Sequence, residues 1–232
     1  MYGLEMHVPH KKSRVTRIGL MGSEKNVKFP FQIISMDILG PLPRSMQGNT
    51  NLLVVTDWFT KYVLLFPLKH PKAAHIVKLV EQVFLIFGVP QFIICDNGTQ
   101  FAGRVFKSLA EEYQVQKIWF NARYHPQCNP TERTNLTVGN AVRSYIKKHR
   151  EWDKELSKIQ QAINTSRHEV TGFSPAFLNF ARHIPVSGKY YGEVSSTSDI
   201  ALFPGDRECY ADDMSKLKDI FVEVKQRLHK SY

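Results

Sequence analysis

The stretch Gln91–Gln100, with the sequence QFIICDNGTQ, constrains the fold of this chain more than any other stretch. Its apolar run Phe92–Cys95 predicts a buried strand, which ends on an acid, Asp96, and a turn at Asn97-Gly98. A carboxylate at the end of a buried strand is costly unless it is neutralised, and a divalent metal ion commonly does so. The alternative is that Asp96 is an ordinary turn residue.

Two further acids can be placed beside Asp96. Asp37 lies in a second apolar run, FQIISMDIL, where an acid has no structural reason to be. Glu132 opens a helical pattern after an interval of 35 residues from Asp96, although an acid in a first helical turn also simply favours the helix dipole. Asp57 competes for the same role, but it lies where a turn between strands is expected, and we interpret it as structural.

These three acids have the chemistry of a two-metal phosphodiester site. Two divalent ions about 3.5–4 Å apart activate the attacking oxygen and stabilise the leaving oxygen of an in-line displacement. Mg²⁺ takes carboxylate oxygens and keeps several waters, so few protein ligands are needed. We predict that Asp37 bridges both ions, that Asp96 holds one, and that Glu132 holds the other.

The rest of the pattern predicts an α/β fold. Its mixed five-stranded sheet combines an antiparallel meander with parallel strands, and helices flank the sheet. The predicted strands are 31–39, 51–56, 62–68, 92–95 and 115–120. The predicted helices are 72–87, 99–113, 131–148 and 152–167, with a loop at 121–130.

The chain divides into four predicted segments. Residues 1–28 form a basic N-terminal arm, and residues 29–183 form the catalytic core. A linker rich in Ser, Gly and Pro follows at 184–210, and a C-terminal amphipathic helix occupies 211–232. Because an isolated helix of this length is marginal, we expect it to pack on the core or on a partner.

The charge pattern points to a polyanionic partner. The formal net charge is +10, and basic residues concentrate in 1–30 and in 117–150, where Glu132 is the only acid. Such charge beside a metal site indicates nucleic acid, although a solvated basic surface is the alternative. No apolar run reaches the roughly 20 residues of a membrane span. Three widely spaced cysteines argue against a disulfide scaffold and for a reducing compartment, cytosolic or nuclear.

Several stretches resemble the integrases of gypsy-like long-terminal-repeat retrotransposons. The triad Asp37, Asp96 and Glu132 resembles the acid triad of retroviral and retrotransposon integrases, and the resemblance covers roughly residues 28–183. The stretches that carry it are MDILGP (36–41), LVVTDWFTKY (53–62), FGVP (87–90), CDNGTQF (95–101), YHPQ (124–127), NPTER (129–133) and TGFSPAFL (171–178).

This resemblance implies a ribonuclease H-like fold and Mg²⁺- or Mn²⁺-dependent transfer of DNA ends to target DNA. It also implies a homo-oligomer, with a dimer as the family expectation. We expect a nuclear location, or a cytosolic one before import. Residues 121–129 would be a loop beside the site, so the implied DNA contacts are Tyr124, His125, Arg133, Arg143 and Lys147. A solvated helix face is the alternative for Arg143 and Lys147.

The sequence also departs from the family pattern. The His-His-Cys-Cys zinc domain and the barrel-like or chromodomain-like module that usually flank such a core have no counterpart pattern here. Leu136 and Gly139 stand where basic residues are frequent in relatives. We therefore expect chemistry on simple substrates but poor integration. Two alternatives stay open: a truncated or host-derived, non-catalytic DNA-binding or interaction module, and a nuclease that cuts RNA–DNA hybrids.

Overall fold

A computed structural model of the chain describes residues 27–120, 130–146, 151–185 and 204–231. Side chains are described throughout these ranges except at the ends of two helices, where they are described for 136–144 and 214–230. In this part of the chain, five strands form one mixed sheet in the order β3-β2-β1-β4-β5. The strands are β1 (Ile33–Leu39), β2 (Asn51–Asp57), β3 (Val63–Leu68), β4 (Phe92–Cys95) and β5 (Lys117–Phe120).

The pairing confirms the predicted meander and parallel strands. β1 pairs antiparallel with β2, and β2 antiparallel with β3. β1 pairs parallel with β4, and β4 parallel with β5; helical segments connect β3 to β4 and β4 to β5. β1 lies at the centre of the sheet, which explains why its sequence is apolar on both faces.

Helices cover both faces of the sheet. The described helices are α1 (Ala73–Phe87), α2 (Thr99–Ala102), α3 (Arg104–Glu112), α4 (Pro130–Ile146), α5 (Trp152–Thr165), α6 (Pro175–Phe180) and α7 (Pro204–Ser231). On one face, Val80 and Phe84 of α1 and Phe106 of α3 pack against Met36 and Leu53. The opposite face has two apolar clusters, one containing residues of α4 and α5 and the other containing residues of α6 and α7.

One predicted helix is broken in the structure, and one observed helix was not predicted. The helix predicted over 99–113 is broken at Gly103, whose extended backbone (φ −70°, ψ 161°) separates α2 from α3. A Cβ at this position would lie 2.8 Å from the Thr99 carbonyl oxygen, so the sharp break requires glycine. The short helix α6 was not predicted, although Ser174 caps it and Pro175 opens it.

The ends of the predicted core also differ in detail. Val27 was assigned to the basic arm, but it is buried in the cluster beneath α7. α7 begins at Pro204, inside the predicted linker, and Val224 and Leu228 bury its C-terminal half against the core. The arm up to residue 26 and the linker from 186 to 203 lie outside the described residues. Among those described, no helix combines the length and the apolarity that crossing a membrane requires.

Candidate active site

Strand register places Asp37 and Asp96 side by side. Met36 of β1 pairs with Cys95 of β4, and the next residue on each strand is an acid. Neighbouring strands are about 4.8 Å apart, and residues at matching positions project from the same face of a sheet. The two acids predicted to share a metal therefore occupy neighbouring positions at the centre of the sheet.

The two carboxylates differ in burial, and the charge of Asp96 acts on Asp37. Burial raises the pKa of Asp37, a backbone hydrogen bond from Ile38 opposes this, and the charge of Asp96 raises it further. The Ile38 N–H donates to Asp37 at 2.8 Å, and the Gly98 N–H donates to the exposed Asp96 at 3.0 Å. Two adjacent carboxylates repel, and a divalent cation between them would remove that repulsion, so this pair of oxygen donors fits Mg²⁺ or Mn²⁺.

Helix α4 covers the sheet face that carries Asp37. Asp37 pairs with Val54 across β1 and β2, so both belong to one face. Val54 packs in the same cluster as Val138 and Val142 of α4. Glu132 occupies the first turn of this helix, but its side chain lies outside the described residues. Its role in the triad stays a prediction.

The described side chains do not by themselves form a complete metal centre. Within the described ranges, no three His, Cys, Asp or Glu side chains form a group that could hold a metal. Asp37 and Asp96 are thus a pair of carboxylates in this part of the chain, to which the predicted Glu132 would add a third.

Of the predicted DNA contacts, only the Arg143 side chain is described. Arg143 is exposed, and its Nη1 lies 3.7 Å from the position that a Cβ on Gly139 would occupy. The guanidinium therefore turns back one helical turn, towards the end of α4 that carries Glu132. Tyr124, His125 and Lys147 lie outside the described residues, as does the side chain of Arg133.

The two departures from the family pattern on α4 have different surroundings. Leu136 is 54% exposed, whereas Gly139 is buried beneath the Arg143 guanidinium. A basic residue at 139 would compete with Arg143 for the same space, so the glycine allows Arg143 to supply a cation there.

Asp57 is structural, as we interpreted it. Its carboxylate is fully buried and accepts hydrogen bonds from the backbone N–H groups of Phe31 and Phe59. It also accepts from the N–H of Thr60 at 2.8 Å and from the Thr60 hydroxyl at 2.6 Å. These contacts fasten the β2–β3 turn to the residues before β1. Burial nevertheless raises the Asp57 pKa, although all four hydrogen bonds lower it.

A buried cation beside Asp57 was missed by sequence analysis. Lys61 is 4% exposed, and burial lowers its pKa to about 8 although Asp57 acts in the opposite direction. Burial, and then the charge of Lys61, lowers the pKa of His168 to about 4. The Val170 N–H donates to the Nδ1 atom of His168 at 3.2 Å, which requires that nitrogen to be unprotonated.

We predict that His168 makes the fold sensitive to mild acid. Its pKa is about 4 in the folded chain against 6.5 ordinarily, so its contribution is complete above pH 6.5 and is lost as the pH falls towards 4. From pH 7 to 5, the free energy of unfolding should fall by about 2 kcal/mol more in the wild type than in His168→Asn. The asparagine can still accept from Val170 but does not titrate.

Urea unfolding at pH 7, 6 and 5 measures this difference. His75→Asn, at an exposed position on α1, is the matched control and should retain the wild-type pH dependence. An identical acid-induced loss in the wild type and His168→Asn would contradict the assignment.

The fold agrees with known integrase structures. The HTLV-2 integrase catalytic core domain in complex with magnesium aligns with a TM-score of 0.54 at 19% identity, over 65% of this chain and 97% of that chain. The simian T-cell lymphotropic virus intasome in complex with PP2A regulatory subunit B56 gamma aligns with a TM-score of 0.60 at 18% identity, over 80% of this chain and 66% of that chain. The fold is therefore the ribonuclease H-like fold of retroviral integrase cores.

Sequence comparisons agree with this class. Residues 28–126 match the Integrase core domain family. Gypsy retrotransposon integrase-like protein 1 of Rattus norvegicus is 31% identical over 155 residues, which are 66% of this chain and 30% of the relative. The Transposon Tf2-3 polyprotein of Schizosaccharomyces pombe is 36% identical over 151 residues, 63% of this chain and 11% of the relative. Residues 28–126 thus match an integrase core domain, and the chain is similar to integrases of the gypsy-like retrotransposon type. It spans less than a third of the length of these relatives.

Proposed function

We propose that the chain catalyses divalent-metal-dependent polynucleotidyl transfer on DNA, with Asp37, Asp96 and Glu132 as the metal-binding triad. The observation that carries this proposal is the placement of Asp37 and Asp96 at adjacent positions of two parallel strands. Such a pair of carboxylates is electrostatically unfavourable without a cation. Helix α4, whose first turn contains Glu132, packs on the sheet face that carries Asp37.

In the proposed reaction, water first cleaves a phosphodiester near the end of the element's DNA and releases a short 3′ fragment. The exposed 3′-hydroxyl then attacks a phosphorus of the target DNA and loses its proton, so that a new phosphodiester forms. The bond from that phosphorus to the target's 3′ oxygen breaks, and this oxygen takes up a proton and leaves as a hydroxyl. When bound, the divalent ions activate the attacking oxygen and stabilise the leaving oxygen.

The residues of the chain would bind the ions and orient the DNA. Asp37 and Asp96 would bind from the sheet, and Glu132 from the first turn of α4. Arg143 would contact a phosphate near the reacting one, because its guanidinium lies over Gly139 on the side towards Glu132. Tyr124, His125, Arg133 and Lys147 are proposed as further DNA contacts. We also propose a nuclear location and a homo-oligomer; the HTLV-2 core has been solved in dimeric and trimeric forms.

The proposal is tested with a branched DNA that mimics the strand-transfer product. In Mn²⁺, the full chain should rejoin the target strand and release the element end, and no product should form with EDTA. Cleavage of an RNA–DNA hybrid without any strand transfer or reversal would instead identify a nuclease. Absence of both reactions, with intact DNA binding, would identify a non-catalytic DNA-binding protein.

A further inference from the structure

A group of exposed basic residues lies at the same edge of the sheet as the paired acids. β1 ends at Leu39, β4 at Cys95 and β3 at Leu68, and these three strands run in the same direction. The residues that follow them therefore meet at one edge. We call three exposed cations at this edge the basic shelf: Arg44 in the β1–β2 loop, and Lys69 and Lys72 between β3 and α1.

Two cations of the basic shelf are held close together. The Arg44 guanidinium and the Cε atom of Lys69 both lie within 4 Å of the position that a Cβ on Gly48 would occupy. Gly48 has a φ of +87°, a conformation that side chains rarely adopt. No Asp or Glu occurs between Asp37 and Asp57, or from there to Glu81, so these segments supply no carboxylate to neutralise the pair. A phosphate is the group that such a pair of donors fits.

The loop that carries Arg44 is anchored to the core by a buried carboxylate. Asp153 of α5 is 8% exposed and accepts hydrogen bonds from the Ser45 hydroxyl and, at 2.7 Å, from the Asn49 amide. The Trp152 indole N–H donates to the Pro43 carbonyl at 2.8 Å. These hydrogen bonds hold the residues on both sides of Arg44, Pro43 and Ser45, in fixed positions. An ordinary solvated surface loop does not need such anchoring.

The two halves of the basic shelf are also tied directly to each other. The Thr50 N–H donates to the Leu68 carbonyl at 3.0 Å, and the Thr50 hydroxyl donates to the Lys69 carbonyl at 2.9 Å. The β1–β2 loop and the residues after β3 therefore form one unit. A surface organised before binding loses less conformational entropy when a ligand binds.

We propose that the basic shelf binds the phosphate backbone of duplex DNA next to the reacting phosphodiester. This inference rests on the proposed function, because that function places DNA at Asp37 and Asp96. Asp37 is level with Leu65 in the strand register, so Lys69 lies two strands and four residues away, roughly 16 Å from Asp37. That distance corresponds to roughly five base pairs along a duplex with a rise of about 3.4 Å. The basic shelf contacts phosphates and contributes no base specificity.

Salt-dependent DNA binding tests the proposal. The shelf variant is Arg44→Gln/Lys69→Gln/Lys72→Gln, and binding of the full chain to a fluorescent 30-base-pair duplex is followed by anisotropy at several salt concentrations. Near 0.1 M salt the shelf variant should bind at least about tenfold more weakly than the wild type. The slope of log affinity against log salt should decrease in magnitude by up to about 2.7, which is about 0.9 for each lost phosphate contact.

The matched control removes the same charge from another surface. Lys216→Gln/Lys218→Gln/Lys230→Gln alters three exposed lysines of α7, whose buried residues pack near Ile33 at the other end of β1. This variant should keep most of the wild-type affinity and slope. Equal losses in the two triple variants, or no loss in the shelf variant, would overturn the proposal. The proposal would also be overturned if the residues of the basic shelf contributed more to binding an A-form RNA duplex than to binding DNA.

The binding readout separates this inference from the proposed function. Binding is measured in EDTA, where no catalysis occurs. If the wild type binds DNA through the basic shelf but performs no strand transfer in Mn²⁺, the proposed function is wrong and the DNA-binding role of the basic shelf is supported. If strand transfer occurs and the shelf variant binds DNA normally, only the DNA-binding role of the basic shelf is wrong. Urea midpoints of both variants, expected to match the wild type, show that the losses do not reflect unfolding.

Discussion

Asp96→Asn is expected to lower the rate of Mn²⁺-dependent strand transfer by at least about a thousandfold while the fold stays intact. Losing a metal ligand removes several kcal/mol of transition-state stabilisation, and about 4 kcal/mol corresponds to a factor of a thousand. The fold should tolerate the change because Asp96 is exposed. Its hydrogen bond from the Gly98 N–H can be accepted by the asparagine oxygen. Single-turnover kinetics on branched DNA measures the effect.

Glu111→Gln is the matched control for this prediction. Glu111 is an exposed acid on α3, and its replacement removes one negative charge without touching the candidate site. It should keep the wild-type rate. A rate for Asp96→Asn within tenfold of the wild type, with both proteins folded, would contradict a ligand role for Asp96.

Asp57→Ala should cause a large loss of stability, about 3–5 kcal/mol in the free energy of unfolding. The substitution leaves the buried N–H groups of Phe31, Phe59 and Thr60 without their acceptor. It also removes the carboxylate whose charge favours the charged form of the buried Lys61. Urea unfolding at pH 7 measures the loss as a lower midpoint with an unchanged slope.

Two comparisons sharpen this test. Asp57→Asn keeps one acceptor oxygen but places an amide N–H₂ against some of the same donors, so its loss should be smaller than that of the alanine variant. Asp219→Ala removes an exposed acid of α7 and should change stability by less than about 0.5 kcal/mol. A loss below about 1 kcal/mol in Asp57→Ala would refute the structural role.

The sequence was sufficient for the sheet because each strand carries its own local signal. The run FQIISMDIL is apolar on both faces, and β1 is central in the sheet. The break at Gly103 was not predictable, because one glycine inside an apolar helical period is usually tolerated. α6 escaped detection because its six residues are too few to show a helical period.

The candidate site was predictable in part for a similar reason. Asp37 and Asp96 each interrupt or end an apolar run, and a parallel pairing of those runs brings the two positions together. The contacts of Asp153 could not be predicted, because its hydrogen bond joins it to Ser45 across a separation of 108 residues. Lys61 and His168 likewise meet only through the tertiary fold, and neither residue type signals burial in the sequence.

A crystal structure of the chain soaked with Mn²⁺ tests the central claim most directly, because Mn²⁺ is located by its anomalous scattering. We predict a peak within about 2.0–2.3 Å of carboxylate oxygens of both Asp37 and Asp96, with the Glu132 carboxylate within about 6 Å. In Asp37→Asn crystals the peak should be lost or strongly weakened. A structure in which Mn²⁺ binds elsewhere, or in which Glu132 points away from the two aspartates, would contradict the triad.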